Sequence, residues 1–448
     1  MLLALAGVVG CGGGGTTVAD ADVQDGPDDG AEDGTEPEDS PVDDGTADEV
    51  AGEDAAAEDA EDDALEDDAA DDGADVPPPV CGDARCAPGE TATACPADCG
   101  VLHVAAGMLH TCAVLADGSV WCWGAWEGHH AGGLGDVRVP TRVAGVDGGG
   151  AICAGAGHTC TSTVDGRVLC WGRNGFGETG QTPRHAEVFP PVEVAGLTGA
   201  TGLSCGLYHT CVELGGDVRC WGRNDFGQLG TDRAVRHAAP SDVTAGRGLH
   251  IVAAGARHSC GGQRRLANSC WGYGGTGALG TGTDAWATSP AAVSVRFSSL
   301  ALAAGSFHTC GISDNLSAGM GTVFCWGANE HGQVGVADAG PLLSPVGTAV
   351  IDASLLAAGR AHTCAASAAQ VYCWGAGDAG QLGNGDTRST YEPQTLALAV
   401  VELSARWDHT CAVLADRTLR CWGLNGHGQL GDGSSEPFGS SPVEPVGL

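Results

Sequence analysis

The chain has 448 residues and a formal net charge of −37, from 57 acidic and 20 basic side chains. There is no lysine, and the arginines are scattered without forming a block, so the electrostatic footprint of a nucleic-acid-binding protein is missing. Residues 20–75 hold 27 of the acids and no basic residue, which leaves 101–448 only mildly acidic, with 27 acids against 19 arginines.

The first ten residues are apolar and run into Val8-Val9-Gly10-Cys11, which resembles the lipobox of bacterial lipoproteins. Residues 1–11 are therefore expected to be an export signal, with Cys11 as the lipidated residue. Residues 12–79 follow, rich in Asp, Glu, Ala, Gly and Pro. With almost nothing large and apolar, they cannot offset their ordering entropy by burial. A disordered acidic linker is expected here, spanning ~45 Å or more on flexible-chain scaling. Residues 80–100 carry Cys81, Cys86, Cys95 and Cys99 with Asp83, Glu90 and Asp98 nearby. Zinc sites favour tighter spacings such as C-x2-C and an exported chain favours bridges, so a small module with two disulfides is expected.

From residue 101 onward one phrase recurs: His, Thr or Ser, Cys, a short span, then Cys-Trp-Gly. Its histidines are His110, His158, His209, His258, His308, His362 and His409, at intervals of 47 to 54 residues. A fixed period of that size implies stacked units or a propeller. Each copy holds a cysteine pair: Cys112 with Cys122, Cys160 with Cys170, Cys211 with Cys220, Cys260 with Cys270, Cys310 with Cys325, Cys364 with Cys373, and Cys411 with Cys421. In the first copy a three-residue hairpin loop, Ala116-Asp117-Gly118, pairs Leu115 with Ser119 and sets Cys112 opposite Cys122. Val164-Asp165-Gly166 does the same in the second copy. In the third, the spacing shrinks by one and the turn becomes Gly215-Gly216, which restores the register. Spacing and turn type changing together is what a cross-strand disulfide predicts, because a one-residue slip would put the two sulfurs on opposite faces. Each bridge would close a loop of about ten residues, worth roughly 2–3 kcal/mol. Cys153 and Cys205 lie in neighbouring copies but one position out of phase, so their side chains are expected to point opposite ways, and no bridge between them is assigned.

Each copy reads as three or four short strands followed by glycine-rich tails such as Asn224-Asp225-Phe226-Gly227-Gln228-Leu229-Gly230 and Asn425-Gly426-His427-Gly428-Gln429-Leu430-Gly431. The combination AG-x-x-H-[TS]-C, DG-x-V, WG-x-N and GQLG resembles the regulator of chromosome condensation repeat, and it covers residues 101–448 seven times over. The resemblance implies an all-β, seven-bladed β-propeller. The paired cysteines depart from the family pattern and suggest an exported version.

Gly202-Leu203-Ser204-Cys205-Gly206 matches the nucleophile elbow of hydrolases, but it occupies a strand position of the repeat where that motif needs a strand, a strained turn and a helix. The repeat histidines share a strand face with the cysteines two residues on. One per blade, related by rotation, is the pattern of a scaffold hydrogen bond, so no metal is assigned to them. His129-His130 beside Glu127, in the aberrant first tail, is a better metal candidate than the repeat histidines but still a weak one. No catalytic, cofactor-binding or metal-binding residue is assigned. Positions that vary inside the fixed phrase are free to carry recognition. The two residues before each histidine include Met108, Leu109, Leu207, Tyr208, Arg257, Phe307, Arg360, Trp407 and Asp408, and rotational symmetry would gather them into a ring of hot-spot residue types on one face. The expected function is a monomeric, lipid-anchored extracytoplasmic propeller without catalytic activity. Its partner would be a protein or a glycan, not nucleic acid. Inhibition of a secreted enzyme is the alternative. Guanine-nucleotide exchange, which the resemblance also implies, is disfavoured by the export signal and the cysteines.

Overall fold

The computed structural model describes residues 94–448, apart from 126–134, 183–186, 232–236, 245–247, 264–266, 315–320 and 339. Cys11, the 12–79 segment and the His129-His130 pair lie outside the described residues. So do Cys81 and Cys86, whereas Cys95, which precedes a one-turn helix α1 (Pro96–Cys99), and Cys99, which ends it, are buried and disulfide-bonded.

Seven four-stranded antiparallel sheets follow one another, each built from consecutive strands. In blade 1 these are β1 (Val101–Ala106), β2 (His110–Leu115), β3 (Val120–Gly124) and β4 (Val137–Arg142). The innermost strand of each blade packs against that of the next, and Val400–Arg406 of blade 7 returns to β1, so the blades form a closed ring. No strand is exchanged at the seam between blades 7 and 1 among the described residues. Side-chain and turn contacts close it instead. Arg417 O accepts from Val101 N at 2.9 Å, and Glu402 from Val104 N at 3.2 Å. Ser404 Oγ accepts from Ala106 N at 2.9 Å, and Leu448 packs into the shared apolar cluster with Val101, Leu115 and Val413.

The repeated phrase is explained by the pleat. Alternate side chains on a strand face opposite ways, so β2 turns His110 and Cys112 toward blade 2 and Thr111 toward blade 7. Thr111 lies opposite Trp123, and Cys112 opposite Cys122. All seven hairpins keep this register and are bridged, with Cα atoms 4.0–4.2 Å apart. That spacing belongs to the closer, non-hydrogen-bonded type of antiparallel pair. The loops follow the chemistry read from the sequence: Gly118 takes φ 77°, and Gly215 and Gly216 take 63° and 98°. In blade 7 the same left-handed loop position is filled by Arg417, at φ 70°.

The seven tryptophans, Trp123, Trp171, Trp221, Trp271, Trp326, Trp374 and Trp422, are fully buried between blades. Six of them donate Nε1 to a tail carbonyl of the preceding blade, as Trp326 does to Ala278 at 2.9 Å. The glycine after each tryptophan is held near φ +105°, where a side chain would strain the backbone, and a Cβ at Gly327 would meet Phe307 O at 2.6 Å.

Cys153 and Cys205, whose pairing the sequence leaves open, are bridged with Cα atoms 5.3 Å apart. Cys153 lies opposite Cys160 on the face of blade 2 that looks toward blade 3, and Cys205 lies opposite Thr210 on the face of blade 3 that looks back. The side chains do point opposite ways along their strands. On adjacent blades that orientation makes them converge, so the one-residue offset is what the bridge requires. Ser204 Oγ reaches Ala254 N of blade 4 at 2.9 Å through the same offset.

Candidate functional site on the upper face

In every blade the turn joining the first two strands and the tail leaving the third emerge at one face of the ring, here called the upper face. Just beneath it runs a closed belt of hydrogen bonds. Nε2 of each repeat histidine meets the hydroxyl of the next blade's Thr or Ser, beginning with His110 to Thr159 at 2.9 Å and ending with His409 to Thr111 at 2.9 Å. Six of those hydroxyls donate onward to a tail carbonyl, as Thr363 does to Gln333 O at 2.8 Å. A hydroxyl has one hydrogen to give, so the imidazole must be the donor, with its proton on Nε2. The bare Nδ1 of His209, His258, His308, His362 and His409 then has no partner. Burial pushes these rings down to about 3, or about 4 for His308, which keeps them neutral. The glycine three residues before each of the first six histidines is explained by the same packing: a Cβ at Gly305 would lie 2.3 Å from His308 Cε1 and 2.5 Å from Gly359 O.

Above the belt the residue types change. On blades 2 and 3, Phe176 and Tyr208 pack with ring centroids 5.3 Å apart, and Arg223 lies over both, 4.6 Å and 5.5 Å from their centroids. On blades 3 to 5, Arg257 lies over Phe226 at 5.1 Å and Phe307 at 5.7 Å. Tyr273 joins Phe226, Phe307 and the exposed Trp286 into one aromatic cluster. On blades 6 and 7, Arg360 lies over Trp407 at 5.4 Å and bonds Asp408 at 3.0 Å. The face therefore carries three guanidinium–aromatic groups along an arc. Such contacts contribute about 0.5–2 kcal/mol each and restrict otherwise mobile arginines.

The varying residues of the phrase divide on this face. Tyr208, Arg257, Phe307, Arg360 and Trp407 belong to the arc and are partly exposed. Met108 and Leu109 are partly exposed on blade 1, while Leu207 and Asp408 turn inward and are buried. Burial raises Asp408 above the usual carboxylate range, against the pull of Arg360. Phe176, Phe226, Tyr273 and Trp286 come from the tails, to which the sequence assigned no recognition role. The signal is the variation between tails: Phe176 and Phe226 stand where other tails carry His331, Ala379 or His427.

Ser204 of the elbow-like pentapeptide lies in the strand Gly202–Cys205, with its hydroxyl engaged by Ala254 N. Among the described residues no three His, Cys, Asp or Glu side chains converge as a metal site would need.

The comparisons agree with this architecture. A model of the RCC1-like domain matches residues 136–446, and one of the regulator of chromosome condensation repeat matches 101–127. No curated protein sequence matches the chain. Among solved structures, Prp20p from Saccharomyces cerevisiae is similar at 20% identity and a TM-score of 0.62, over 73% of this chain and 85% of that one. The human protein WBSCR16 is similar at 19% identity and a TM-score of 0.61, over 69% and 85%. With seven contiguous blades, the repeated phrase in each and a family match over most of its length, this chain belongs to the RCC1-like propeller family.

Proposed function

We propose that this chain is a non-catalytic binding propeller, exported and held at the cell envelope by a lipid on Cys11, which engages a protein partner through its upper face. The observation that carries the reading is the arc of three guanidinium–aromatic groups, whose residue types dominate protein–protein hot spots. A sugar would need exposed ring faces to stack on, and guanidinium groups already cover Phe226, Phe307 and Trp407. This favours a protein over a glycan. The bridged hairpins suit an oxidising compartment outside the cytoplasm. Prp20p is described by its binding to Gsp1p and histones. At 20% identity that likeness supports the fold, and the export signal and bridges set this chain apart from cytosolic GTPases.

The test compares the oxidised full chain with a Tyr208→Ala, Phe307→Ala, Trp407→Ala triple variant in capture from native envelope and culture supernatant. A protein retained by the parent should be lost by the variant, with affinity reduced roughly hundredfold or more, while the melting temperature is unchanged. Retention at full strength would refute the reading, and stoichiometric suppression of a secreted hydrolase would move it to the inhibitor alternative.

A further inference from the structure

Blade 7 breaks the repeat at one position. Where the other blades place Gly107, Gly155, Gly206, Gly255, Gly305 and Gly359, it carries Arg406 at the end of its innermost strand. This side chain crosses the central channel to the far side of the ring. There Nη2 donates to the backbone carbonyl of Cys205 on blade 3, and to that of Ala254 on blade 4 at 3.2 Å. Both carbonyls end innermost strands, whose channel-side edge has no neighbouring strand.

Among the described residues, that leaves a cation inside the ring without a counter-ion. No carboxylate pairs with Arg406 among the described residues, and its Nε–H and two Nη1–H groups make no hydrogen bond there. The titratable groups facing it are His158, His209 and His258, each neutral, and the guanidinium in turn helps to hold them so. Burial alone pushes Arg406 down to about 10, with no acidic group acting the other way. A guanidinium partly withdrawn from bulk water is costly unless it is paired, and the three N–H groups left over on Arg406 can supply that pairing.

We propose that the upper mouth of the central channel is an oxyanion-binding site centred on Arg406, which takes a carboxylate or phosphate group. Arg406 serves as strut and ligand holder together: Nη2 fixes the guanidinium across the channel, and the Nε and Nη1 hydrogens face the anion. The oxyanion has two sources, a free small anion or an acidic side chain of a docked protein. The site is independent of whether the aromatic arc is the docking surface.

The experiment titrates the oxidised full chain, in chloride-free buffer at constant ionic strength, with acetate, inorganic phosphate and a capped glutamate-containing peptide. Saturable one-to-one binding is expected for at least one probe, weakened roughly tenfold or more in Arg406→Gln and Arg406→Gly. The glycine variant restores the residue that six blades already use, so it should retain the fold. Peptide binding well above that of acetate would identify a partner's side chain as the source; acetate or phosphate binding without the peptide would identify a free anion. If neither variant folds, displacement of phosphate by acetate on the unmodified chain reads the same site. No saturable binding, non-competing probes, or equal binding by Arg406→Gln would overturn the proposal. Loss of Tyr208, Phe307 and Trp407 should leave these titrations unchanged, which separates failure of this site from failure of the arc.

Discussion

Two layers of the upper face lie one or two residues apart in sequence and follow opposite rules. The lower layer, His and Thr or Ser in every blade, is fully buried, neutral and circular: each histidine is bound by the next blade's hydroxyl and the seventh returns to the first. The upper layer differs from blade to blade, is partly exposed and clusters along an arc on blades 2 to 5, with a separate pair on blades 6 and 7. The difference teaches where tolerance ends. A position that must fit two blades at once has one acceptable residue, whereas a position that meets solvent can take Gly157, Tyr208, Arg257 or Phe307 without disturbing the ring.

The largest effect should come from removing what the lower layer is stapled to. Seven hairpin bridges and the Cys153–Cys205 link between blades constrain the chain where, among the described residues, the rest of the core is mainly Ala, Val, Leu and one Trp per blade. At roughly 2–3 kcal/mol for each hairpin bridge, reduction should lower the melting temperature by tens of degrees. Calorimetry in strong reductant with thiol titration checks this. Unchanged melting with all thiols free would mean that the hydrogen-bonded belt and the tryptophans suffice.

Acid should act next, and chiefly through the belt. His158, His209, His258, His308, His362 and His409 have folded values of about 3 to 4 against an ordinary 6.5. Between those limits the unfolded chain binds more protons, so stability is complete above pH 6.5 and falls as pH drops toward 3. Each ring loses about 1.4 kcal/mol per pH unit across that window. Glu178, raised to about 7 by burial, works the other way, as do Asp408, raised by burial, and His103, raised by its hydrogen bond to Glu402, so the six rings are only partly opposed. Circular dichroism from pH 7 to 3 should show one cooperative unfolding step, and a flat profile would contradict the neutral, Nε2-protonated belt.

The hairpin bridges were legible because a local turn fixes which cysteine lies opposite which, as Gly215-Gly216 does for Cys211 and Cys220. Cys153 and Cys205 were not, since their meeting depends on two blades facing each other, a relation that strand alternation alone misreads. The arc was half legible: Tyr208, Arg257 and Phe307 vary inside the fixed phrase, whereas Phe176 and Phe226 lie in tails whose repeated glycines mask their variation. Arg406 was hidden for a similar reason. A repeat seen as a pattern makes a departure look like noise, and only the geometry shows the side chain crossing the channel to another blade.

The sharpest comparison of the two layers needs two substitutions two residues apart. Gly305→Ala adds one methyl group where the structure leaves no room, 2.3 Å from the His308 ring and 2.5 Å from the Gly359 carbonyl of the next blade. Neither neighbour can retreat without breaking the His308–Thr363 bond, so a loss of about 3 kcal/mol or more is expected. Phe307→Ala removes a whole ring from the partly exposed arc, yet most of what it gives up is contact with Arg257 and Tyr273 rather than core. It should cost about 1 kcal/mol of stability and weaken partner capture. Denaturant unfolding of the two variants reads the contrast directly. If the smaller change proves harmless and the larger one unfolds the protein, the belt is not the scaffold and the arc is part of the core.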